Sequence, residues 1–113
     1  MEKRAHPRIK PAGLNAQMVI MSPKSDIPFQ ITGKVMDISY SGIRIKLNRA
    51  FESTFEHCSI TISLTLPLSG IPIKISGIIR HFSQNNECGL EFTGPKADQL
   101  IDPLIFECIK RSH

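Results

Sequence analysis

The sequence is poor in the residues that build several common kinds of functional site. It contains no Trp and one Tyr among 113 residues, and its three cysteines, Cys58, Cys88 and Cys108, form no Cys-x-x-Cys pair. An odd number of widely spaced cysteines argues against a disulfide framework and against a zinc knuckle. His57 stands beside Cys58, but no cluster of His, Asp or Glu completes a metal site or a nucleophile pair. The sequence therefore predicts no metal, no cofactor and no catalytic residue.

The chain also lacks length and long apolar runs. Its 113 residues accommodate one small domain, which excludes a TIM barrel or a Rossmann unit with a separate substrate domain. No apolar stretch approaches the roughly 20 residues that span a bilayer. Residues 18–21 are too few for the apolar region of a signal peptide. We therefore expect no membrane span and a cytoplasmic location.

Positive charge is concentrated at the N-terminus. Residues 1–25 carry five basic side chains against one acidic side chain, whereas residues 26–113 carry nine of each sign, so the whole net charge of +4 resides in the first segment. A basic end on an otherwise neutral domain indicates an anionic partner, such as a phosphate, a nucleic acid or a membrane surface. A solvated tail is the simpler interpretation of the charge taken alone.

Alternation of apolar and polar residues is the dominant pattern. It is strongest over residues 43–47, 60–66 and 71–75, and weaker over residues 14–21, 29–36 and 88–92. This period of two is typical of half-buried antiparallel strands, so we expect six strands. Leu68-Ser69-Gly70 predicts a tight hairpin, and Gly77 interrupts the alternation in a way that predicts a bulge.

After residue 95 the apolar period changes to that of a helix. One apolar stripe contains Leu100, Ile101, Leu104, Ile105, Cys108 and Ile109. The stripe predicts an amphipathic C-terminal helix over about residues 96–111, which Pro103 is expected to kink or restart with Asp102 as a cap. Six strands and one helix predict an all-β fold, a small antiparallel barrel with the helix over one opening.

Two short segments contain chemistry suited to a nucleotide. Residues 4–8 (RAHPR) set two guanidinium groups four positions apart, and a guanidinium can bind phosphate or the O6 and N7 edge of guanine through paired hydrogen bonds. In residues 37–42 (DISYSG), Asp37 can accept from N1 and N2 of guanine, with Ser39 donating or accepting beside it. Gly42 would allow a positive φ or a close ligand approach. Taken separately, the two segments are better explained as a basic tail and an ordinary turn.

The order and interval of the two segments strengthen the signal. Arg4 and Arg8 come first, 28 residues separate Arg8 from Asp37, and Ser39 and Gly42 follow. This arrangement resembles the RxxxR and [DN]xSxxG signature of the PilZ domain family. The resemblance extends to the terminal helix, and it implies a six-stranded PilZ-type barrel that binds the bacterial second messenger cyclic di-GMP through these five residues.

The resemblance also implies an organisation and a mechanism. Residues 1–12 would be a flexible basic arm that carries RxxxR, and residues 13–113 would be the barrel with its helix. Ligand would order the arm over the DxSxxG loop and change the surface offered to an unidentified protein effector of motility, pilus, polysaccharide or virulence control. Lys3 and Lys10 would add to the phosphate field, and Tyr40 could stack on a base or point outward. His6 is more simply an exposed bystander.

Two alternatives remain open. A PilZ-like adaptor could contact proteins without binding nucleotide. A small basic barrel could instead bind RNA or single-stranded DNA through its arm, but Trp is absent and the phenylalanines are mostly expected in the core. Five of the six phenylalanines carry this expectation: Phe51, Phe55, Phe82, Phe92 and Phe106. Nucleic acid is therefore the less favoured ligand.

Overall fold

The structure, a computed structural model, describes residues 8–11, 13–21, 28–49, 58–83, 85–94 and 97–111. In this part of the chain, six strands are followed by one helix: β1 (Asn15–Met21), β2 (Phe29–Ile38), β3 (Gly42–Leu47), β4 (Ser59–Thr65), β5 (Pro72–Phe82), β6 (Glu87–Phe92) and α1 (Ala97–Arg111). Within the same residues, no helix combines the length and apolar character needed to cross a membrane.

The strands form a closed antiparallel barrel in the order β1-β2-β3-β6-β5-β4, and β4 pairs back to β1. Closure gives each of these six strands a paired neighbour on both sides. The alternating apolar side chains point inward, and Met18, Ile45, Ile62 and Ile75 are among the most deeply buried. The predicted six-stranded barrel with a C-terminal helix is confirmed.

Helix α1 lies across the end of the barrel where the β2–β3 and β4–β5 connections meet. Its buried side chains are Ile101, Leu104, Ile105 and Cys108, which lie on one face at helical spacing. Glu107 Oε1 accepts the backbone N–H groups of Leu68 at 2.8 Å and Ser69 at 2.9 Å. These hydrogen bonds lower the pKa of Glu107, and the bond from Ser69 has the largest effect. The helix therefore covers the core and also holds the β4–β5 turn.

The prediction that the helix restarts at Pro103 is wrong. Helix α1 runs from Ala97 to Arg111 as one element, with Pro103 inside it, so Asp102 is not the cap of a second segment. A proline loses the hydrogen bond of its own nitrogen and its ring crowds the carbonyl four residues earlier, but the buried apolar face on both sides holds the helix together. A kink at Pro103 stays a prediction. Phe106 is 60% exposed and not in the core, because its position on the helix faces away from that apolar side.

The predicted bulge at Gly77 is also wrong. Gly77 pairs in regular register with Ile60 on one side and Phe92 on the other, and β5 continues to Phe82. The register shift comes later, between Ile79 and His81. A Cβ on Gly77 would lie 3.0 Å from the carbonyl oxygen of Glu91, so the glycine serves a close approach of strands rather than a bulge.

The strand boundaries of β2 and β5 differ from the predicted ones. Strand β2 extends to Ile38, with a register shift between Val35 and Asp37, so Asp37 lies in the strand and not in the following loop. Ile71 stands before the first residue of β5 and is exposed, because it belongs to the turn and not to the barrel wall.

Part of the predicted arm is visible against the barrel. Ile9 forms an isolated antiparallel bridge with Ile38, and the two hydrogen bonds of this bridge are both 2.8 Å long. Lys10 is exposed on the same segment, and Pro11 is buried. The predictions for Lys3, Arg4 and His6 lie outside the described residues, and the flexibility of the arm stays a prediction.

Candidate functional site

The two predicted segments meet at a buried carboxylate. Arg8 Nε donates to Asp37 Oδ1 at 2.6 Å, and Arg44 Nη2 lies 2.8 Å from Asp37 Oδ2. The Asp37 side chain is 4% exposed, whereas the side chains of Arg8 and Arg44 are 41% and 43% exposed. Two guanidinium groups therefore cover the carboxylate, and each of its oxygens forms an ion pair with one of them.

The register shift in β2 explains how a carboxylate comes to this position. Val35 and Ile38 both enter the core although they are three residues apart, so strict alternation is broken between them. Asp37 is thereby turned to the outer surface, opposite Arg44, whose neighbours Ile43 and Ile45 are buried. The bridge between Ile9 and Ile38 holds the Arg8 segment beside it. Strand pairing, and not chain proximity, assembles the cluster.

Ser39 is committed to the turn between β2 and β3. Its Oγ accepts the backbone N–H groups of Ser41 and Gly42, both at 3.3 Å. Its own backbone N–H donates to the carbonyl oxygen of Gly42 at 2.9 Å. Ser39 is buried, so this hydroxyl shapes the loop in the structure, while the neighbouring Ser41 is exposed.

Gly42 is required by the sheet and not by an unusual backbone conformation. It is absent from the positive-φ glycines of the described residues, so the positive-φ expectation is wrong. A Cβ on Gly42 would lie 2.3 Å from the carbonyl oxygen of Leu90 on β6. The close approach at this position is therefore made by a neighbouring strand, because β3 begins here and pairs with β6 from its first residue.

Tyr40 connects the same loop to the helix. It is half-buried and packs against the core, and its hydroxyl donates to Asp102 Oδ1 on α1. Tyr40 is not among the residues that line a surface groove beside Arg8 on β3, β6 and β5. The loop that carries the DxSxxG segment is thus joined by a hydrogen bond to the helix that closes the barrel.

A groove of about 310 Å³ opens beside Arg8 on the outer surface of β3, β6 and β5. The polar side chains in its lining include those of Arg8, Ser41, Arg44, Arg80 and His81. Arg80 Nε forms an ion pair of 2.6 Å with Glu91 Oε1, which lies in the same groove. A larger concavity of about 640 Å³ lies over β1, β2 and β4, and none of the described signature residues lines it. Lys74 is the one cation among its described lining residues, whereas Arg8, Arg44 and Arg80 all line the smaller groove.

Arg44 and His81 were not identified from the sequence. Arg44 was visible only as one polar position in an alternating strand, because its pairing with Asp37 depends on the β2–β3 register. His81 lies beyond Gly77, where the sequence predicted an interruption of the strand. Its closeness to the site depends on the pairing of β5 with β6, for which no local pattern exists.

Comparison with known proteins gives a family and a fold. The family model for the PilZ domain matches residues 2–107, whereas a search of curated proteins finds no significant match. Similar solved structures include the PilZ domain of YcgR from Escherichia coli with c-di-GMP, at 14% identity and a TM-score of 0.71, covering 98% of this chain and 95% of that chain.

Two further structures share the fold. The PilZ domain of CeSA from a cellulose-synthesizing bacterium is 19% identical with a TM-score of 0.66, covering 95% of this chain and 99% of that chain. The Bacillus subtilis inhibitor of motility (MotI/DgrA) is 20% identical with a TM-score of 0.61, covering 99% of this chain and 52% of that chain. At these identities the likeness is one of fold, and the resemblance predicted from the two motifs is confirmed.

Proposed function

The chain belongs to the PilZ domain family, and on this basis we propose that it is a cytoplasmic receptor for cyclic di-GMP that carries out no catalysis. The observation that carries the proposal is the ion pair between Arg8 and Asp37. It joins the RxxxR and DxSxxG segments at one place on the barrel, although 28 residues separate them. A solvated tail would not need that contact.

The donors at this place suit a ligand with two phosphates and two guanines. The contact with Asp37 occupies Nε of Arg8, and a guanidinium has four further N–H donors on its terminal nitrogens. Those donors can bind a phosphate or the O6 and N7 edge of a guanine. Arg4 is proposed to add a second guanidinium, with Lys3 and Lys10 as supporting charge.

Asp37, Ser39 and Gly42 are proposed to act as the rigid part of the site. In the structure, Asp37 is covered by two arginines and Ser39 is bonded within the turn. We therefore infer that Asp37 first orients Arg8, and that a direct bond from Asp37 to a guanine would require Arg8 to move. Gly42 keeps the turn and β6 close together.

The proposed response to ligand is the ordering of the basic arm, residues 1–12, over the DxSxxG loop. The bridge at Ile9 supports this proposal, because it anchors the chain close to Arg8, so a ligand held by Arg4 and Arg8 would fix the preceding residues against the barrel. The changed surface would be read by a protein effector. One structural neighbour is named an inhibitor of motility, and motility control is one candidate process for such an effector.

A calorimetric titration of the whole chain with cyclic di-GMP tests the proposed function. We expect saturable binding, and no comparable heat from GTP, which has one guanine and a different phosphate arrangement. Cyclic di-AMP measures the discrimination between bases. A flat trace from folded protein would reject the receptor and favour an adaptor that contacts proteins without nucleotide.

A further inference from the structure

A row of paired residues runs from Asp37 across four strands to His81. The register pairs Asp37 with Arg44, Arg44 with Gly89, and Gly89 with His81. Because neighbouring strands are about 4.8 Å apart, the Cα atoms of Arg44 and His81 are separated by about 10 Å. Only a residue without a side chain stands between them. The row therefore continues the candidate site from the Asp37 cluster onto β6 and β5.

The imidazole of His81 occupies the space over Gly89. A Cβ built on Gly89 would lie 2.3 Å from Cε1, 2.7 Å from Nε2 and 2.9 Å from Nδ1 of His81. Three ring atoms at such similar distances indicate that a face of the ring, and not an edge, is turned to the sheet. His81 is nevertheless exposed, so its other face is open to the groove that Arg8 and Arg44 also line.

We propose that the imidazole of His81 is a stacking platform for one guanine base of cyclic di-GMP, and that Gly89 sets the ring in place. The inference rests on the proposed function and adds a base-contacting residue outside both signature segments. Among the described residues that line the groove, His81 has the only ring. Nucleic-acid bases stack on aromatic side chains, including histidine, and on guanidinium planes.

The charges of the groove indicate where the phosphate and the base of the ligand would lie. Arg80 and Glu91 neutralise each other at 2.6 Å, whereas Arg8 and Arg44 share the one carboxylate of Asp37. Glu87 Oε1 also lies 3.9 Å from Arg44 Nε, at ion-pair distance, although that nitrogen has no hydrogen-bond partner. The phosphate is expected at the partly exposed guanidinium groups of Arg8 and Arg44, which have terminal N–H donors beyond their contacts with Asp37, with a base over His81.

Replacements of His81 distinguish the effect of a planar ring from the effect of a positive charge at this position. We expect His81→Ala to weaken the binding of cyclic di-GMP about tenfold, a loss typical of a deleted stacking side chain. His81→Phe should stay within about threefold of the wild type because it keeps a planar ring. His81→Lys, which supplies a cation without a ring, should behave like His81→Ala. Lys74→Ala is the matched control, because Lys74 is an exposed residue of β5 outside this groove.

Gly89→Ala tests the placement of the ring. The added Cβ would collide with the imidazole of His81, and that side chain can move aside without unfolding the strand. We therefore expect Gly89→Ala to weaken cyclic di-GMP binding in the wild-type background and to cause no further loss in His81→Ala. Thermal unfolding of each variant checks the fold. An absence of wild-type binding would reject the proposed function itself. The platform alone would be rejected if His81→Ala and Gly89→Ala kept the wild-type affinity. It would also be rejected if His81→Lys restored binding and His81→Phe did not.

Discussion

The Asp37 cluster allows a quantitative test of whether a signature carboxylate reads the ligand or positions an arginine. Asp37→Asn keeps the side-chain size and removes the charge. The contact of 2.6 Å with Arg8 is a charge-assisted hydrogen bond, worth about 1.5–3 kcal/mol when well shielded, and the contact of 2.8 Å with Arg44 is an ion pair. Both arginines are partly exposed, so solvent reduces the loss of unfolding free energy to about 1–2 kcal/mol. The melting temperature should fall by about 5–10 °C.

An exposed ion pair on the same barrel is the control for this magnitude. Glu91→Gln removes the partner of Arg80, whose contact is equally short at 2.6 Å, but the two side chains are 48% and 52% exposed. The expected loss is below about 1 kcal/mol. A cost for Glu91→Gln equal to that for Asp37→Asn would mean that burial of the carboxylate does not decide the energy.

The effect of Asp37 on binding is read from a double-mutant cycle with Arg8→Ala. If Asp37 acts by orienting Arg8, then Asp37→Asn weakens cyclic di-GMP binding in the wild-type background and changes nothing once Arg8 is absent, with a coupling of about 1 kcal/mol or more. Four calorimetric titrations measure it. An equal loss in both backgrounds, together with lost discrimination against cyclic di-AMP, would show that Asp37 accepts hydrogen bonds from guanine and would refute the positioning role.

Four other predictions follow from the same structure. Arg4→Ala and Arg8→Ala should each weaken cyclic di-GMP binding by about tenfold or more, and Lys should rescue only partly because it lacks the planar fork. Arg4→Ala should change the melting temperature little, whereas Arg8→Ala should lower it because it removes one partner of the buried Asp37 carboxylate. A wild-type affinity in both Ala variants would remove them from the site. An oligonucleotide whose phosphates contact the four basic side chains of the arm should lose affinity as salt rises from about 50 to 200 mM, with a slope of log affinity against log salt of about −3 to −4. Over the same range the affinity for cyclic di-GMP should change little. Tight oligonucleotide binding without a response to cyclic di-GMP would favour the nucleic-acid alternative. The pKa of Glu107 is lowered by its hydrogen bonds to the β4–β5 turn. The stability that Glu107 contributes is therefore present above its ordinary pKa and is lost as the pH falls through the lowered value. The unfolding free energy of Glu107→Gln should depend less on pH in that range than that of the wild type. Burial raises the pKa of Cys88 to about 12, so alkylation at pH 8 followed by mass spectrometry should leave it unmodified until the protein unfolds.

The sequence alone determined the architecture and the identity of the signature residues. Alternation of period two and the apolar stripe of the helix are local patterns, because each strand or helix must separate its buried side from its solvent side wherever its neighbours lie. Cys88 lies in phase with the alternation over residues 88–92 and Cys108 lies in the apolar stripe, and both are buried. The order of the two motifs was also readable from the chain without any knowledge of pairing.

Only the tertiary structure decided what those residues touch. The partnership of Asp37 with Arg44, the position of the register shift in β5 and the placement of His81 over Gly89 all depend on which strands are neighbours and in which register. Gly42 likewise shows its constraint only where β6 approaches it. A local pattern specifies which face of a strand is buried, but contacts across strands are set by the closure of the whole barrel, because each register must agree with every other around the ring.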